Sequence, residues 1–203
     1  MGNILAHYEL YKRIVDLPGA VVECGVFKGA SLLQFATFRE LLENENSRKI
    51  VGFDMFGAFP KDDHVASDAA FVAKWNEQFA GAFLAKEDIE ASLQLKGIGN
   101  VELVQGDILE TLEPYVVQHP ELRIALLHVD TDVYRPAKKT LEVFFDRVVP
   151  GGVIVFDDYG TVEGETLAID EFLAGKGYVL RKFPFSHTKP SWIVKGETGR
   201  GNI

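Results

Sequence analysis

The sequence predicts an α/β fold built on an open, mostly parallel sheet with helices around it. Between Leu122 and Gly160, two short apolar runs, Ile124–Val129 and Val153–Phe156, flank a segment whose apolar residues recur at helical spacing. A buried strand, a helix and a second buried strand form a βαβ unit, whose two strands run parallel. Further short apolar runs alternate with helical patterns earlier in the chain, which extends the same architecture.

The composition is that of a chain large enough to bury one full core. Of its 203 residues, 47 % are hydrophobic and 25 % are charged, so we expect a single domain over 1–203, with an N-terminal helix within 1–18 and a frayed tail at 196–203. The net charge of −9 argues against nucleic acid or an anionic membrane as a partner. Cys24 is the sole cysteine, which excludes a disulfide framework and fits a cytoplasmic location.

Aspartates follow both of the apolar runs in the βαβ unit. Asp130 and Asp132 come after the first run, and Asp157 and Asp158 come after the second. Because parallel strands end at the same edge of a sheet, we expect the four carboxylates to lie close together. Each one alone is also an ordinary turn residue, but like charges at close range repel unless a cation offsets them. The pattern therefore favours a hard-cation site, and Mg²⁺ suits oxygen ligands of this kind.

The first predicted strand, Ala20–Cys24, leads into a glycine-bearing loop and a helix. Such a loop lets the backbone approach a nucleotide-like ligand, while the start of the helix offers free N–H groups. The dinucleotide fingerprint GxGxxG is absent because Phe27 occupies its second glycine position. Glu23, just before the loop, suits a positively charged ligand better than a pyrophosphate. The cofactor-binding candidates here are Glu23, Gly25, Phe27, Gly29 and Ser31.

Two more predicted strands end close to an acid. Asp54 follows the second strand, Lys49–Phe53, at the position from which an acid accepts from ribose hydroxyls. Asp107 lies just beyond the third strand, Val101–Val104. It either accepts from an adenine amino group while Ile108 packs on the ring, or it caps the next helix, and both roles are compatible.

The remaining segments are predicted from periodicity and turn residues. The polar loop Gly57–Ser67 lies at the same edge of the sheet, where such loops often serve as lids. Tyr178–Phe185 and Ser191–Val194 form a final pair of strands, whose short connection predicts an antiparallel hairpin. The predicted helices cover Ile4–Leu17, Leu32–Leu42, Asp68–Leu84, Asp88–Leu95, Leu109–Val117 and Leu167–Leu173.

Acids at several strand ends, with a glycine loop that disfavours pyrophosphate, suggest S-adenosylmethionine, whose sulfonium is positively charged. From about Val21 to Lys195 the chain resembles the macrocin O-methyltransferase (TylF) family of class I methyltransferases. The resemblance rests on the blocks ECGVFKGAS at Glu23–Ser31, FDMFGAFP at Phe53–Pro60, DTDVYRPAKKTLE at Asp130–Glu142 and GGVIVFDDYG at Gly151–Gly160.

This resemblance implies a Rossmann-like sheet of seven strands with an antiparallel last strand and helices on both faces. It implies that Asp130, Asp157 and Asp158 hold Mg²⁺ and that Asp132 is the general base, and it matches the glycine loop and Asp54 to the S-adenosylmethionine site. The reaction implied is O-methylation of a deoxysugar, either nucleotide-linked or part of a natural product. The expected partner is a small sugar or polyhydroxylated molecule, and a homo-oligomer is left open.

Three rival functions use parts of the same pattern. A Mg²⁺-dependent methyltransferase of catechol-like phenols would need a flatter, more aromatic acceptor pocket. An NAD-linked oxidoreductase would use the same type of sheet, although Phe27 argues against it. A non-catalytic module would bind the cofactor without turnover. Asp132 lies two positions beyond Asp130, so on an extended strand end both side chains point to one side; if Asp132 is not the base, His187 or bulk water is the next candidate.

Overall fold

The computed structural model describes residues 2–60, 66–186 and 189–199. Within them, six strands form one sheet in the order β3-β2-β1-β4-β5-β6. The first five strands pair in parallel, and β6 pairs antiparallel with β5. The strands are β1 Ala20–Cys24, β2 Ile50–Asp54, β3 Val101–Gln105, β4 Ile124–Val129, β5 Val148–Phe156 and β6 Ser191–Val194.

Helices cover both faces of the sheet, as predicted. One buried apolar cluster joins the sheet to α5, α6 and α7, and a second joins it to α1, α2 and α4. None of the described helices combines the length and apolar character needed to cross a bilayer. The helices are α1 Gly2–Tyr11, α2 Ala30–Leu42, α3 Ala66–Gln78, α4 Lys86–Leu95, α5 Ile108–Gln118, α6 Tyr134–Phe144 and α7 Glu163–Leu173.

The predicted fold class and the antiparallel last strand are confirmed, but the number of strands is not. Instead of the predicted hairpin between Tyr178–Phe185 and Ser191–Val194, the described residues form one antiparallel bridge at this place. There Arg181 and Trp192 exchange two backbone hydrogen bonds of 2.9 Å. Pro184 has no N–H to donate to a ladder, and the chain turns at that point. The described sheet therefore has six strands rather than seven.

The N-terminal helix is shorter than its periodicity predicts. It ends at Tyr11, and the following residues form turns up to the start of β1. The buried guanidinium of Arg48 explains the difference, because it donates to the carbonyls of Ile14 at 2.9 Å and of Leu17 at 3.2 Å. Hydrogen bonds from Arg48 to the carbonyls of the turns therefore take the place of the helical hydrogen bonds that the sequence pattern predicts.

The segment after β6 contacts the chain around Tyr178. Thr198 forms an antiparallel bridge with Tyr178, and the Gly199 N–H donates to the Gly177 carbonyl at 2.7 Å. The last four residues, 200–203, lie outside the described part of the chain. The expectation of a frayed tail at 196–203 stays a prediction.

The ends of the central strands approach one another very closely. Gly25 has φ +92°, and a Cβ built on it would lie 1.7 Å from the Asp130 carbonyl oxygen. The Asp130 N–H donates to the Cys24 carbonyl at 2.9 Å, and the Asp157 N–H donates to the Val129 carbonyl at 3.0 Å. These bonds bring the segments that follow β1, β4 and β5 together at one edge of the sheet.

We predict that Gly25→Ala destabilises the protein much more than Gly81→Ala. Gly81 also has positive φ, at +75°, but a Cβ built on it meets nothing within 4 Å. Gly81→Ala should therefore lower the free energy of unfolding by about 1–2 kcal/mol, which is the strain of placing alanine in the left-handed conformation. Gly25→Ala adds a steric clash, so a loss above about 3 kcal/mol is expected. Chemical denaturation of both variants measures the difference, and equal losses would contradict the close approach of Gly25 and Asp130.

Candidate active site

A cavity of about 300 Å³ opens at the carboxyl edge of the sheet. One part of its lining is acidic and another part is aromatic. The acidic residues are Asp54, Asp107, Asp130, Asp132, Asp157 and Asp158. The aromatic residues are Phe27, Phe59, Trp75 and Phe83. The edge predicted from strand polarity is therefore the edge at which the cavity forms.

The three predicted metal ligands converge in this cavity. Asp130, Asp157 and Asp158 each offer a carboxylate oxygen within 4.8 Å of the others. Asp157 and Asp158 are buried, and Oδ1 of Asp157 is shielded from solvent without a hydrogen-bond partner in the described residues. An all-oxygen set of hard donors is what Mg²⁺ prefers. These residues therefore fit the group that the sequence implies.

Basic side chains already face two of these carboxylates. Lys189 pairs with Asp158. His7 and His128 each place Nε2 3.8 Å from Asp157 Oδ1, which is a charge contact rather than a hydrogen bond. Burial alone would raise the pKa of Asp157, but the contacts with His128 and His7 outweigh it and hold this pKa well below its usual range. Asp157 is thus held as a carboxylate.

The two other aspartates of the cluster behave in the opposite way. Burial, followed by the nearby Asp157 carboxylate, raises the pKa of Asp130 well above its usual range. Burial and the Glu165 carboxylate raise the pKa of Asp132 to about 7, although Lys189 opposes the shift. A carboxyl group with a pKa near neutrality is a better proton acceptor at pH 7 than an ordinary aspartate.

The backbone at Asp132 is not the extended strand end that the sequence suggested. Its φ is +61°, in the left-handed region that non-glycine residues rarely adopt. The reason is tertiary, because the N–H groups of Thr131 and Asp132 both point at the Glu165 carboxylate. The argument that alternation places Asp130 and Asp132 on one side is therefore wrong, although both residues do line the cavity.

Glu165 is the site residue that sequence reasoning missed. It lies in the first turn of α7, is 0 % exposed, and accepts backbone hydrogen bonds from Thr131, Asp132 and Asp158 at 3.1, 3.0 and 3.1 Å. Burial and the Asp130 carboxylate raise its pKa well above the usual range, and the backbone N–H groups oppose this shift. An acid in a first helical turn is common on exposed helices, so no sequence signal marked it.

The candidates of the glycine loop divide into two groups. Gly25 and Phe27 line the cavity. Glu23 is fully buried beneath the loop, where it accepts from the Ser31 hydroxyl and lies 3.4 Å from His128 Nδ1. Gly29 precedes α2, and a Cβ there would touch Ile89. Glu23, Gly29 and Ser31 are thus placed to shape the loop from behind, and direct contact between them and a cofactor stays a prediction.

Asp54, Asp107 and Ile108 all line the cavity. Asp107 caps α5, since its side chain accepts from the Leu109 N–H at 2.8 Å, so its helix-capping role is confirmed. Asp54 accepts from the N–H groups of Val26 and Phe27 at 2.7 and 2.9 Å, and from the Phe56 N–H at 2.6 Å. A carboxylate has about four acceptor positions, which leaves capacity for a hydroxyl.

The aromatic wall, which consists of the lining residues Phe27, Phe59, Trp75 and Phe83, connects the glycine loop to α3. Phe27 has φ +49°, and its ring centroid lies 5.3 Å from that of Trp75 and 5.2 Å from that of Phe79. The Asn76 side chain holds both backbone groups of Phe59, at 2.9 and 3.1 Å. The predicted lid loop Gly57–Ser67 thus borders the cavity at its start, whereas its residues 61–65 lie outside the described part of the chain, as does His187.

The sheet order, the antiparallel last strand and a cavity at the carboxyl edge define a class I methyltransferase fold. Structural comparison agrees, because solved methyltransferases superpose on nearly the whole chain. Residues 9–179 match the macrocin-O-methyltransferase (TylF) family. The chain therefore belongs to that family, and the resemblance in sequence is confirmed.

Individual relatives of known activity or structure have modest sequence identity to this chain. An 8-demethyl-8-(2,3-dimethoxy-alpha-L-rhamnosyl)-tetracenomycin-C 4'-O-methyltransferase from Streptomyces olivaceus is 27 % identical over 149 residues, or 70 % of this chain. The chain spans 54 % of that relative's length. The crystal structure of the calicheamicin methyltransferase CalS11 is 29 % identical, with TM-score 0.75 over 96 % of this chain and 79 % of that one. The O-methyltransferase NovP, 19 % identical with TM-score 0.81 over 95 % and 78 %, shares the fold.

We predict that Asp54→Ala lowers both cofactor affinity and stability. Removing the carboxylate leaves the N–H groups of Val26, Phe27 and Phe56 without their acceptor, at a cost of about 2–4 kcal/mol. Asp88→Ala is the matched control, because it removes a capping carboxylate at the start of α4, outside the cavity lining, for about 1 kcal/mol. Denaturant titration gives the stabilities, and calorimetry with S-adenosylhomocysteine gives the affinities. An Asp54→Ala variant with unchanged affinity would refute the ribose assignment.

Proposed function

We propose that this chain is an S-adenosylmethionine- and Mg²⁺-dependent O-methyltransferase that acts on a hydroxyl of a deoxysugar. The observation that carries the proposal is that one cavity is lined both by the converging Asp130, Asp157 and Asp158 carboxylates and by Gly25, Phe27 and Asp54. Membership of the macrocin-O-methyltransferase family supports the reaction type.

The names of two relatives support a sugar as the acceptor. The Streptomyces olivaceus relative is named for a rhamnosyl group on tetracenomycin C. CalS11 is described as a TDP-rhamnose 3'-O-methyltransferase of calicheamicin biosynthesis, and that structure aligns at 29 % identity. One acceptor is a glycoside and the other is a nucleotide-linked sugar, so the proposal covers both forms.

The chain's own residues divide the work. Asp130, Asp157 and Asp158 would hold Mg²⁺, which as a Lewis acid lowers the pKa of a sugar hydroxyl. S-Adenosylmethionine, when bound, would supply a methyl group on a positively charged sulfur. Gly25 would let the loop backbone approach this ligand, and the Asp54 carboxylate would accept from its ribose. Asp107 and Ile108, which also line the cavity, would receive the adenine ring.

Asp132 is the residue proposed to remove the proton. It lines the same cavity as Asp130, Asp157 and Asp158, and the hydrogen bonds from the Thr131 and Asp132 N–H groups to Glu165 fix its backbone. When a hydroxyl of the acceptor loses its proton to the Asp132 carboxylate, the oxygen becomes the nucleophile that takes the methyl group. Holding acceptor and donor in one small cavity supplies much of the remaining acceleration.

The decisive experiment combines binding with activity. Calorimetry with S-adenosylhomocysteine, run with and without Mg²⁺, should show binding of both groups to the purified chain. Assays with S-adenosylmethionine should then show methyl transfer to a deoxysugar nucleotide or to a deoxysugar glycoside. Cofactor binding without turnover on any hydroxylated acceptor would favour the non-catalytic module instead.

The aromatic residues of the cavity lining also fit a second candidate, methylation of catechol-like phenols with the same metal and cofactor. Phe27, Phe59, Trp75 and Phe83 give the cavity flat apolar surfaces on which a phenol ring could stack. They are equally suited to the apolar faces of a deoxysugar. A substrate panel decides, because turnover of catechols but not of deoxysugars would overturn the sugar assignment.

Cellular location and assembly stay predictions. A cytoplasmic location is expected from the lone, buried Cys24. We expect neither nucleic acid nor a membrane as a partner, given the charge of −9. Whether the chain forms a homo-oligomer is measured directly by sedimentation.

We predict that Asp132→Asn lowers kcat by about 10²–10⁴-fold while Mg²⁺ and S-adenosylhomocysteine still bind. The substitution keeps the shape of the side chain but removes the proton acceptor. Calorimetry and steady-state kinetics on the same preparation separate binding from turnover. Loss of Mg²⁺ affinity in parallel with activity would instead make Asp132 a ligand.

We predict that Asp130→Asn and Asp157→Asn both lose Mg²⁺ binding but differ in stability without metal. Burial, together with the Asp157, Asp132 and Glu23 carboxylates that it faces, raises the pKa of Asp130, so an uncharged amide at this position removes that repulsion. Although burial lowers the pKa of His128, its contacts with Asp157 and Glu23 raise it well above the usual range, so Asp157→Asn loses a favourable charge contact. Thermal melts in a chelator should rank Asp157→Asn below the unmodified protein and Asp130→Asn level with it or above. The reverse order would refute this distribution of charge.

A further inference from the structure

We propose that Glu165 is a positioning residue that locks the two aspartate-bearing loops into the geometry of one metal site. This inference rests on the proposed function only in naming Mg²⁺ as the ion. The lock itself is a feature of the fold, visible in the hydrogen bonds that converge on one buried carboxylate.

The bonds join the two loops beyond the point where the pairing of β4 with β5 ends. Oε2 of Glu165 accepts from the N–H groups of Thr131 and Asp132, in the loop after β4. Oε1 accepts from the Asp158 N–H, after β5. The Glu165 N–H in turn donates to the Asp132 carbonyl at 3.2 Å. One side chain therefore spans the loop that carries Asp130 and the loop that carries Asp158.

The helix that carries Glu165 is itself held in place. A Cβ built on Gly164 would lie 2.1–2.6 Å from the Asp68 carboxylate, so any larger residue would displace this side chain, and α7 approaches α3 closely here. Asp68 Oδ2 also accepts from the Tyr134 N–H at the start of α6, at 2.8 Å. The starts of α3, α6 and α7 thus meet behind the loops, and Glu165 projects from a supported position.

Part of the contribution of Glu165 is stability, because without its carboxylate the N–H groups of Thr131, Asp132 and Asp158 would lose their acceptor. An acid is nonetheless a costly acceptor here, since Glu165 is 0 % exposed and lies near the Asp130 and Asp157 carboxylates. What the carboxylate adds is a fixed geometry of the loops. Substituting a residue that orients metal ligands typically lowers metal affinity by about 10- to 100-fold.

The test uses two substitutions at Glu165 and one matched control in the same turn of α7. Glu165→Asp keeps the charge but shortens the arm by about 1.5 Å, so it cannot reach both loops. Glu165→Gln keeps the length but turns an N–H₂ group toward one of the backbone donors. Glu163→Gln makes the same change of charge at an exposed position of that turn.

Calorimetry should show Mg²⁺ affinity reduced about 10- to 100-fold in both Glu165 variants and unchanged in Glu163→Gln. Affinity for S-adenosylhomocysteine without Mg²⁺ should stay within about twofold in all three variants. In assays, the Glu165 variants should need more Mg²⁺ for half-maximal rate and recover most of kcat when Mg²⁺ is saturating. A general folding defect would instead lower both affinities and kcat together.

Two outcomes overturn the proposal. One is a Glu165→Asp variant that binds Mg²⁺ as the unmodified protein does, because then only charge matters at this position. The other comes from hydrogen exchange on the unmodified protein, if the Thr131, Asp132 and Asp158 amides exchange as fast as those of exposed turns. This second measurement needs no variant to fold and no metal to bind. Failure of the unmodified protein to bind Mg²⁺ would refute the metal assignment in the proposed function while leaving the lock testable by exchange.

Discussion

The crowding of carboxylates at one edge of the sheet is the constraint on which the rest of this site depends. Asp130, Asp132, Asp157 and Asp158 meet there because parallel strands end together. Repulsion between these partly buried carboxylates would push the loops apart unless other groups offset the charge or hold the loops in place. The structure supplies three kinds of opposition: cationic side chains, backbone N–H groups, and the tight contact of the strand ends.

These opposing groups come from parts of the chain that are far apart in sequence. His7 comes from the N-terminal helix, His128 from the middle of the sheet, and Lys189 from the segment before β6. Glu165 adds another negative charge but contributes geometry, since it gathers N–H groups from both loops. The acids therefore differ in their pKa values. The pKa of Asp157 is held below its usual range, so this group stays ionised, whereas the pKa of Asp132 is raised to about 7.

The same edge gives one cavity two regions of different chemical character. On the side of β1 and β2, the positive φ of Gly25 and the bonds from Val26 and Phe27 to Asp54 shape the glycine loop. On the side of β4 and β5, the carboxylates form a set of hard oxygen donors. Aromatic rings from the glycine loop and α3 border the cavity.

The sequence by itself determined where the five parallel strands lie and which acids follow them. Apolar runs bounded by turn residues mark buried strands, and an acid after such a run lies at a ligand-binding edge wherever the sheet is parallel. It is for this local reason that Asp54, Asp130, Asp157 and Asp158 could be named in advance. The tertiary structure decided what depends on distant partners: the early end of α1 at the carbonyls bonded by Arg48, the left-handed backbone of Asp132, the single bridge in place of a seventh strand, and the role of Glu165. No local pattern specifies these features, because each arises where a side chain from one element meets the backbone of another.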